Sequence, residues 1–364
     1  MQKLVFVIPT LTHGGAERVM SNLANQFSCH GYKVTFVLQK KVDDEYPTNP
    51  DIKKVYLTFR DIGNYYINLL ILLIKMRKAI IKESPDIALS FLDKCNQYFL
   101  LSTIGIKRFK RFSSVRNIPE LECSTAIKKI VVQLLFPKAT GIILQTKDAE
   151  KWFAERNIRI NSKIIPNQVA EQFFDREFHG ERKNIVTVGR LDEQKNQKLL
   201  IEAFAKIKNE TNENLYIYGE GPLRQELESL VSELGLSGRV FLPGLITDVP
   251  ETIIGSRLFV LPSDFEGMPN ALLEAIALGV PSISTDCPCG GPKEIIENKK
   301  NGFLVPVGDV DALAEKMKYV LSLPDNELEA ISANAKKSAD RYRPENVFKQ
   351  WEEFLCSTDG KGKV

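Results

Sequence analysis

Residues 257–278 hold a predicted strand, a short loop and the start of a helix in direct succession. The run 257–262 is apolar and ends at a proline, which is typical of a strand buried on both faces of a parallel sheet. Strong helix formers fill 271–278, and Gly279 stops them. In open α/β sheets such a loop lies at the carboxyl end of its strand, where ligands bind. The stretch therefore predicts a parallel α/β fold with a ligand site at this loop.

The loop and the helix start carry two acidic residues, Glu266 and Glu274, together with Gly267, Met268 and Asn270. Carboxylates placed there can accept hydrogen bonds from sugar hydroxyls. The N-terminus of the helix offers N–H groups and a partial positive charge, which suit a diphosphate. Taken alone, the two residues also fit a solvated loop carboxylate and an ordinary helical one.

The spacing of Glu, seven residues and Glu, with Gly-Met-Pro after the first Glu, resembles retaining glycosyltransferases of family 4. These enzymes have the GT-B architecture of two Rossmann-like domains with the active site in the cleft between them. The resemblance implies that Glu274 holds the ribose hydroxyls of a nucleotide sugar and that Glu266 contacts the donor sugar. It places Gly267, Met268 and Asn270 on the donor side as well.

Two cations follow the strand predicted at 184–188. Arg190 and Lys195 lie on a loop that can turn both toward one point, where they would neutralise a diphosphate leaving group. We expect both on an open loop, so their removal should not affect folding. The alternative is a surface Arg and Lys without a ligand. The pattern resembles the Gly-Arg-Leu…Lys motif of family 4, whose members place the nucleotide base near the strand that here contains Leu242.

The predicted first strand, 4–8, leads into a loop with His13, Gly14 and Gly15 before a helix. Adjacent glycines let the backbone approach a ligand closely, although this is not the dinucleotide-binding pattern G-x-G-x-x-G. Gly-Gly-Ala-Glu-Arg resembles the N-terminal loop of many family 4 enzymes, where the glycine amides face the donor phosphate. A tight turn that only packs the helix, with a solvated His13, is the alternative.

The acceptor or sugar side is assigned to residues after the next strands. A loop at 93–97 with Asp93 follows the strand predicted at 85–91, and Arg116 and Asn117 follow a later short strand. Many relatives carry a histidine in this neighbourhood that contacts the transferred sugar. This chain has Arg116 and Asn117 instead, which leaves that role unassigned.

The alternation of strands and helices predicts a parallel sheet in each of two domains, and 364 residues suit that number. We expect an N-terminal acceptor-side domain over 1–169 and a polar linker at 170–183. A nucleotide-sugar-binding domain follows over 184–343. A last helix, 344–356, is expected to cross back to the first domain.

The net charge of +3 is unevenly distributed. Residues 1–168 hold 26 Lys and Arg against 14 Asp and Glu, a balance of +12, and the remainder has a balance of −9. Basic and apolar residues alternate at 107–138, which suits a segment that meets anionic lipid. The candidate anchors are Phe109, Phe112, Leu134 and Leu135. The alternative is a core-facing segment with a solvated basic rim; we expect no nucleic-acid partner, because no known nucleic-acid motif accompanies it.

The six cysteines are scattered, and only Cys287 and Cys289 are close in sequence. No second pair or His cluster completes a zinc site, so reduced cytosolic thiols are expected. No Asp-x-Asp motif is found in a suitable loop; we therefore expect neither a catalytic metal nor a cofactor. The longest apolar run is too short to span a membrane.

These observations predict a retaining, metal-independent hexosyltransferase. It would move a hexose or N-acetylhexosamine from a nucleoside-diphosphate sugar, with UDP as the favoured carrier, to a lipid-linked or growing surface-polysaccharide acceptor such as O-antigen or capsule. We expect it in the cytoplasm, peripheral on the inner face of the cell membrane. Two alternatives stay open: a nucleotide-sugar epimerase of the same fold, and a non-catalytic nucleotide-sugar-binding protein.

Overall fold

A computed structural model describes residues 1–12, 14–117, 119–122 and 125–356. In it the chain divides into two compact units. The first holds Met1–Asn167 and the segment that begins at Val347, and the second holds Gln168–Asn346. Each unit contains one sheet in which all neighbouring strands run parallel, so the predicted fold class of two parallel α/β domains is confirmed.

The first unit builds a seven-stranded sheet. Its strands are β1 (Lys3–Ile8), β2 (Lys33–Leu38), β3 (Lys53–Tyr56), β4 (Ile87–Phe91), β5 (Lys110–Ser114), β6 (Gly141–Leu144) and β7 (Ser162–Ile164). Its helices are α1 (Gly15–Cys29), α2 (Tyr65–Glu83), α3 (Asp93–Ser102), α4 (Pro119–Glu122), α5 (Ala126–Leu135) and α6 (Lys147–Glu155). The strand order is β3-β2-β1-β4-β5-β6-β7. The order reverses between β1 and β4, the point at which open sheets bind ligands.

The second unit builds a six-stranded sheet. Its strands are β8 (Lys183–Val188), β9 (Leu215–Tyr218), β10 (Val240–Gly244), β11 (Ser256–Leu261), β12 (Ser282–Thr285) and β13 (Phe303–Val305). Its helices are α7 (Gln197–Ile207), α8 (Arg224–Glu233), α9 (Val249–Ile253), α10 (Asn270–Ala277), α11 (Gly291–Ile295), α12 (Val310–Leu321) and α13 (Asp325–Ala339). The strand order is β10-β9-β8-β11-β12-β13, so the switch point lies between β8 and β11.

The last helix, α14 (Pro344–Cys356), has the bounds that the sequence predicted. Its apolar side is buried in the core of the first unit at Val347, Phe348, Trp351 and Leu355. Trp351 stacks on Phe91 at the end of β4, with 5.8 Å between ring centroids. The amphipathic spacing of 3 to 4 residues explains why this helix was readable from sequence.

The segment read as a polar linker is packed on the second unit. Val169 and Phe173 are buried in its core, on the sheet face that carries α10 and α13. The backbone N–H of Val169 also donates to the carbonyl of Tyr342, at 2.9 Å. These two apolar residues attach an otherwise polar segment to the second unit. The average composition of the segment did not indicate this packing.

The prediction of a loop at 93–97 was wrong, because these residues open helix α3. Leu92 adopts φ 72°, and this left-handed residue turns the chain from β4 straight into the helix. The first helical hydrogen bond runs from the N–H of Asn96 to the carbonyl of Leu92, at 2.7 Å. A left-handed leucine has no local sequence signal, so the turn could not be foreseen.

Three of the four apolar residues proposed as membrane anchors belong to the core. Phe109, Phe112 and Leu135 are buried, whereas Leu134 is 60% exposed. The alternative of a core-facing segment with a solvated rim therefore holds for most of 107–138.

Candidate active site

An ion pair between Lys195 and Glu266 lies beside the switch point of the second sheet. The ammonium of Lys195 is 2.5 Å from Oε1 of Glu266. The hydroxyl of Ser263 donates to the same oxygen at 2.8 Å. Glu266 is 5% exposed, so its charge needs these donors to remain buried. Among the described residues, Oε2 receives only a long contact of 3.5 Å, from the amide of Gln194.

The loops after β8 and β11 are fastened to each other, and this brings the pair together. The N–H of Asp264 donates to the carbonyl of Gln194 at 2.9 Å. The amide of Asn196 donates to Oδ1 of Asp264 at 2.7 Å, while its own oxygen caps α7 at the N–H of Leu199. Because β8 and β11 are neighbouring parallel strands, their carboxyl-terminal loops meet at one edge.

Arg190 lies on the same loop as Lys195 but has a different partner. Its guanidinium is 3.0 Å from Asp192, and its side chain is 72% exposed. The side chain of Asp192 also accepts from the backbone N–H of Lys195, at 3.1 Å. Arg190 and Lys195 thus pair with different carboxylates, Asp192 and Glu266. That both cations bind one diphosphate stays a prediction.

Helix α10 begins at Asn270, directly after the Glu266 loop. The residue before it, Pro269, gives no side-chain cap, so no capping side chain at that position satisfies the first N–H groups of the helix. Glu274 lies one turn into the helix and is buried, and Met268 in the loop is buried too. The geometry matches the predicted strand, loop and helix start.

Two glycines hold backbones close to the motif loops. A Cβ at Gly291 would lie 1.7 Å from the carbonyl oxygen of Gly267. Gly219 has φ 138°, and a Cβ there would lie 1.9 Å from the carbonyl oxygen of Gly189. Neither position accepts a side chain without moving the loop beside it. Sequence reasoning missed that Gly291 must lack a side chain, because its close contact with Gly267 joins two loops that are separate in the sequence.

The residue assigned to the nucleotide base, Leu242, lies on the edge strand β10 and is half-buried. Its carbonyl accepts from Arg224 at 3.1 Å. Arg224 also pairs with Glu220 and Glu228, and these hydrogen bonds raise the pKa of the guanidinium. Leu242 is thus two strands away from β8, while Lys195 follows β8 itself.

Sequence reasoning also missed the groups that support Glu266. The hydroxyl of Thr285, at the end of β12, donates to the carbonyl of Ser263 at 2.5 Å. Cys287 lies close by; burial, with a smaller contribution from the charge of Glu266, raises the pKa of its thiol to about 12. Ser263 and Gln194 are within three residues of Glu266 and Lys195 in the sequence. This proximity was the signal that could have indicated their supporting role.

In the first unit, Gly14 and Gly15 stand at the start of α1. Gly14 is the N-cap and gives no side-chain hydrogen bond; its N–H donates to the carbonyl of Thr12 at 2.7 Å. The carboxylate of Glu17 fills the space beside Gly14: a Cβ at Gly14 would lie 2.0 Å from a carboxylate oxygen of Glu17. Burial raises the pKa of the Glu17 carboxyl group. His13 lies outside the described residues.

Arg116 is a buried cation at the carboxyl end of β5. It donates to the side-chain oxygen of Asn167 and lies over the ring of Phe91, 4.6 Å from the centroid. Burial lowers the pKa of its guanidinium to about 9, so it stays charged at neutral pH. Gln145 donates to the same oxygen of Asn167 at 2.8 Å.

The other two residues on the assigned acceptor side are arranged differently. Asn117 is exposed, next to the buried Arg116. Asp93 opens α3 and accepts from Gln97 at 3.0 Å, and burial raises the pKa of its carboxyl group.

Comparison with known proteins identifies the chain. The family described as "Glycosyl transferases group 1" matches residues 168–338. The chain is also 29% identical to the Campylobacter jejuni GalNAc-α-(1→4)-GalNAc-α-(1→3)-diNAcBac-PP-undecaprenol α-1,4-N-acetyl-D-galactosaminyltransferase, over 98% of this chain and 99% of that protein. The chain is a glycosyltransferase, and the match to the group 1 family lies in its second unit. The predicted resemblance to this class of enzymes is confirmed.

Two further proteins are similar to the glycosyltransferase. A second C. jejuni protein, N-acetylgalactosamine-N,N'-diacetylbacillosaminyl-diphospho-undecaprenol 4-α-N-acetylgalactosaminyltransferase, is 27% identical over 93% of this chain and 94% of that protein. The crystal structure of Anabaena HepE in complex with UDP gives a TM-score of 0.82 and 19% identity, over 98% of this chain and 100% of that chain. At that identity the likeness shows that the two proteins share a fold, here GT-B.

Proposed function

We propose that the glycosyltransferase is a retaining enzyme that moves a hexose or N-acetylhexosamine from a UDP-linked sugar to a lipid-linked or growing surface-polysaccharide acceptor. The names of the two C. jejuni relatives describe transfer to undecaprenyl-diphosphate saccharides, which supports this acceptor class. The UDP bound in the HepE crystal structure supports the donor. The observation that carries the proposal is the ion pair between half-buried Lys195 and buried Glu266, beside the N-terminus of α10.

Lys195 is the group that stabilises the leaving diphosphate. When the bond between the anomeric carbon and the phosphate oxygen breaks, its electron pair stays on the oxygen, and negative charge grows there. The ammonium of Lys195 has three N–H donors, of which Glu266 accepts one. No other described residue accepts from this ammonium, so two donors can meet the charge, together with the N-terminus of α10.

Arg190 adds a second cation that moves into place when the donor binds. Its pair with Asp192 is exposed, and such pairs contribute ~0–1 kcal/mol. Exchange of this carboxylate for a diphosphate therefore costs little, and the guanidinium can bind two phosphate oxygens at once.

Glu266 contacts the donor sugar through its less occupied oxygen. Oε1 accepts from Lys195 and Ser263, while the part of the chain that the structure describes gives Oε2 only the long contact from Gln194. Oε2 is thus an acceptor for a sugar hydroxyl, and Glu274 accepts from the ribose. No protein nucleophile is assigned; retention would follow from attack on the face that the leaving group departs.

We further propose that transfer needs no metal ion and takes place at the cytoplasmic face of the membrane. The diphosphate charge is met by Lys195, Arg190 and α10, so chelation with EDTA should leave the rate unchanged. Among the described residues, no helix is both long and apolar enough to cross a membrane. Contact with the bilayer would then be peripheral.

The test is incubation with a panel of UDP-sugars and an undecaprenyl-diphosphate-linked oligosaccharide, followed by mass spectrometry. The expected product gains one hexose or N-acetylhexosamine residue in the α-configuration, as read by NMR. Lys195→Ala is the matched control and should give little product. Donor conversion without any acceptor would instead favour an epimerase, and UDP binding without turnover would favour a binding protein.

A further inference from the structure

Helix α2 carries two rows of apolar side chains on different faces. One row, spaced four residues apart, is buried: Leu72, Met76 and Ile80. A second row with the same spacing is exposed, with Tyr66 at 79%, Leu70 at 56% and Ile74 at 45%. A helix that packs on a sheet needs only one apolar stripe, so the exposed row is unexplained by folding.

The exposed row continues into the residues around it. Four more large apolar residues between 59 and 67 are at least a third exposed: Phe59, Ile62, Tyr65 and Ile67. Monomeric proteins seldom expose apolar residues in such density unless the surface binds something. Helix α3 contacts both α2 and α5, and α5 exposes Ile130 and Leu134 one turn apart.

Lysines border this row. Helix α2 contains Lys75, Arg77, Lys78 and Lys82, and its only acidic residue is the last one, Glu83. At about 100° per residue, Lys78 and Lys82 lie about 40° and 80° around the helix from Ile74. Both are exposed. Arg77 is occupied elsewhere, since it donates to the carbonyls of Ser102 and Ile104.

We infer that one side of α2, formed by Tyr66, Leu70, Ile74, Lys78 and Lys82, lies in the interface of an anionic membrane. This α2 membrane face would hold its apolar row at the level of the headgroups and acyl chains, with tyrosine at the boundary and lysines at the phosphates. The inference rests on the proposed function in one respect, because a lipid-linked acceptor gives the surface its use.

The charges favour lipid over a second copy of the chain. In a two-fold dimer the same patch would face itself, and a patch without acidic residues would offer no partner for Lys78 and Lys82. An anionic bilayer instead complements every charge on this face. Each lysine near such a surface strengthens binding roughly fivefold, and salt weakens the effect.

The experiment is flotation of the full chain with vesicles of phosphatidylcholine, with or without phosphatidylglycerol. The protein should float only with the anionic vesicles and should be released by salt. Tyr66→Ser/Leu70→Ser/Ile74→Ser should weaken vesicle binding at least tenfold, and Lys78→Gln/Lys82→Gln should weaken it by roughly 25-fold. Because the triple variant changes three residues, Tyr66→Ser alone, at the most exposed position, is a second test and should weaken binding severalfold.

The matched controls are exposed residues elsewhere. Leu245→Ser removes an apolar side chain that is 78% exposed in the second unit, and Lys337→Gln/Lys349→Gln removes two exposed lysines. Both should float like the unchanged protein. Flotation of the α2 variants equal to that of the unchanged protein would overturn the inference. So would a protein that does not bind vesicles but forms a dimer that these substitutions dissociate.

Transfer assays separate this inference from the proposed function. With an acceptor dissolved in detergent, the α2 variants should keep the full rate; with the acceptor embedded in vesicles, they should lose it. Flotation that depends on α2 without transfer to any lipid-linked acceptor would reject the proposed function and leave the surface standing. Transfer to a lipid-linked acceptor without any vesicle binding would reject the α2 membrane face and leave the proposed function standing.

Discussion

The ammonium of Lys195 lies 2.5 Å from the carboxylate of Glu266, although 71 positions separate the two residues in the chain. The pair depends on two neighbouring parallel strands, β8 and β11, whose carboxyl-terminal loops are joined by hydrogen bonds. We therefore expect donor binding, catalysis and stability to be coupled at this ion pair.

Removal of Lys195 should affect both catalysis and folding. Lys195→Ala should lower kcat/KM at least about 30-fold, equivalent to ~2 kcal/mol of transition-state stabilisation. It leaves the buried Glu266 without its cation, so the free energy of unfolding should fall by about 2–3 kcal/mol. This differs from the expectation of an open loop, because the Lys195 side chain is only 17% exposed. Urea unfolding and steady-state kinetics measure the two effects.

The control is Arg190→Ala on the same loop. With a side chain 72% exposed, it should leave the free energy of unfolding within about 0.5 kcal/mol of the unchanged protein, while transfer still falls by about 2 kcal/mol. The double variant Lys195→Ala/Glu266→Gln should regain much of the lost stability. Unchanged turnover in both single variants would remove the cations from the leaving-group role.

The two glutamates should act on different parts of the donor. Glu274→Ala should weaken the binding of UDP alone at least tenfold, if Glu274 accepts from the ribose with a net value of about 1.5 kcal/mol. Glu266→Gln should lower transfer and leave UDP affinity nearly intact, because its partner is the sugar. Calorimetry with UDP and no acceptor distinguishes them, and equal losses in both variants would contradict the separate roles.

Gly291→Ala should disturb the donor site without touching a donor contact. The new Cβ would lie 1.7 Å from the carbonyl oxygen of Gly267, so the loop of Glu266 must move, at a cost of about 2 kcal/mol or more. UDP affinity and stability should fall together. Gly308→Ala is the matched control: its φ is 70° but the space is open, so a cost of about 1 kcal/mol and normal UDP binding are expected. Equal UDP affinities in the two variants would refute the contact.

The buried thiol of Cys95 should make stability depend on alkaline pH. Burial raises the pKa of this thiol from 9.0 to about 12, so between these values the folded state keeps a proton that the unfolded state loses. Stability from this group is therefore complete below pH 9 and is lost as pH rises toward 12. The free energy of unfolding, measured from pH 9.5 to 11, should fall less steeply in Cys95→Ala, by about 1.4 kcal/mol per pH unit. Identical slopes would show that the thiol does not titrate as described.

The sequence by itself determined the fold class and which charged residues form the proposed donor site. Long buried strands and amphipathic helices have periodic patterns, so the alternation over 184–306 and the helix at 344–356 could be predicted. The spacing of Glu266 and Glu274 and the position of Lys195 rest on local strand–loop–helix units, which are likewise visible in the chain. Helix α13 was missed, because its buried positions are mostly alanine and leave no apolar stripe.

Only the tertiary structure decided which partners these residues have and which apolar residues remain outside. Contact between Lys195 and Glu266, the support from Thr285 and the close approach of Gly291 depend on strand order, which sequence distance does not encode. The apolar rows of α2 look alike in the sequence, and packing against the sheet buries one and leaves Tyr66, Leu70 and Ile74 exposed. Periodicity tells that a helix has an apolar face, but the position of the neighbouring elements determines which face is covered.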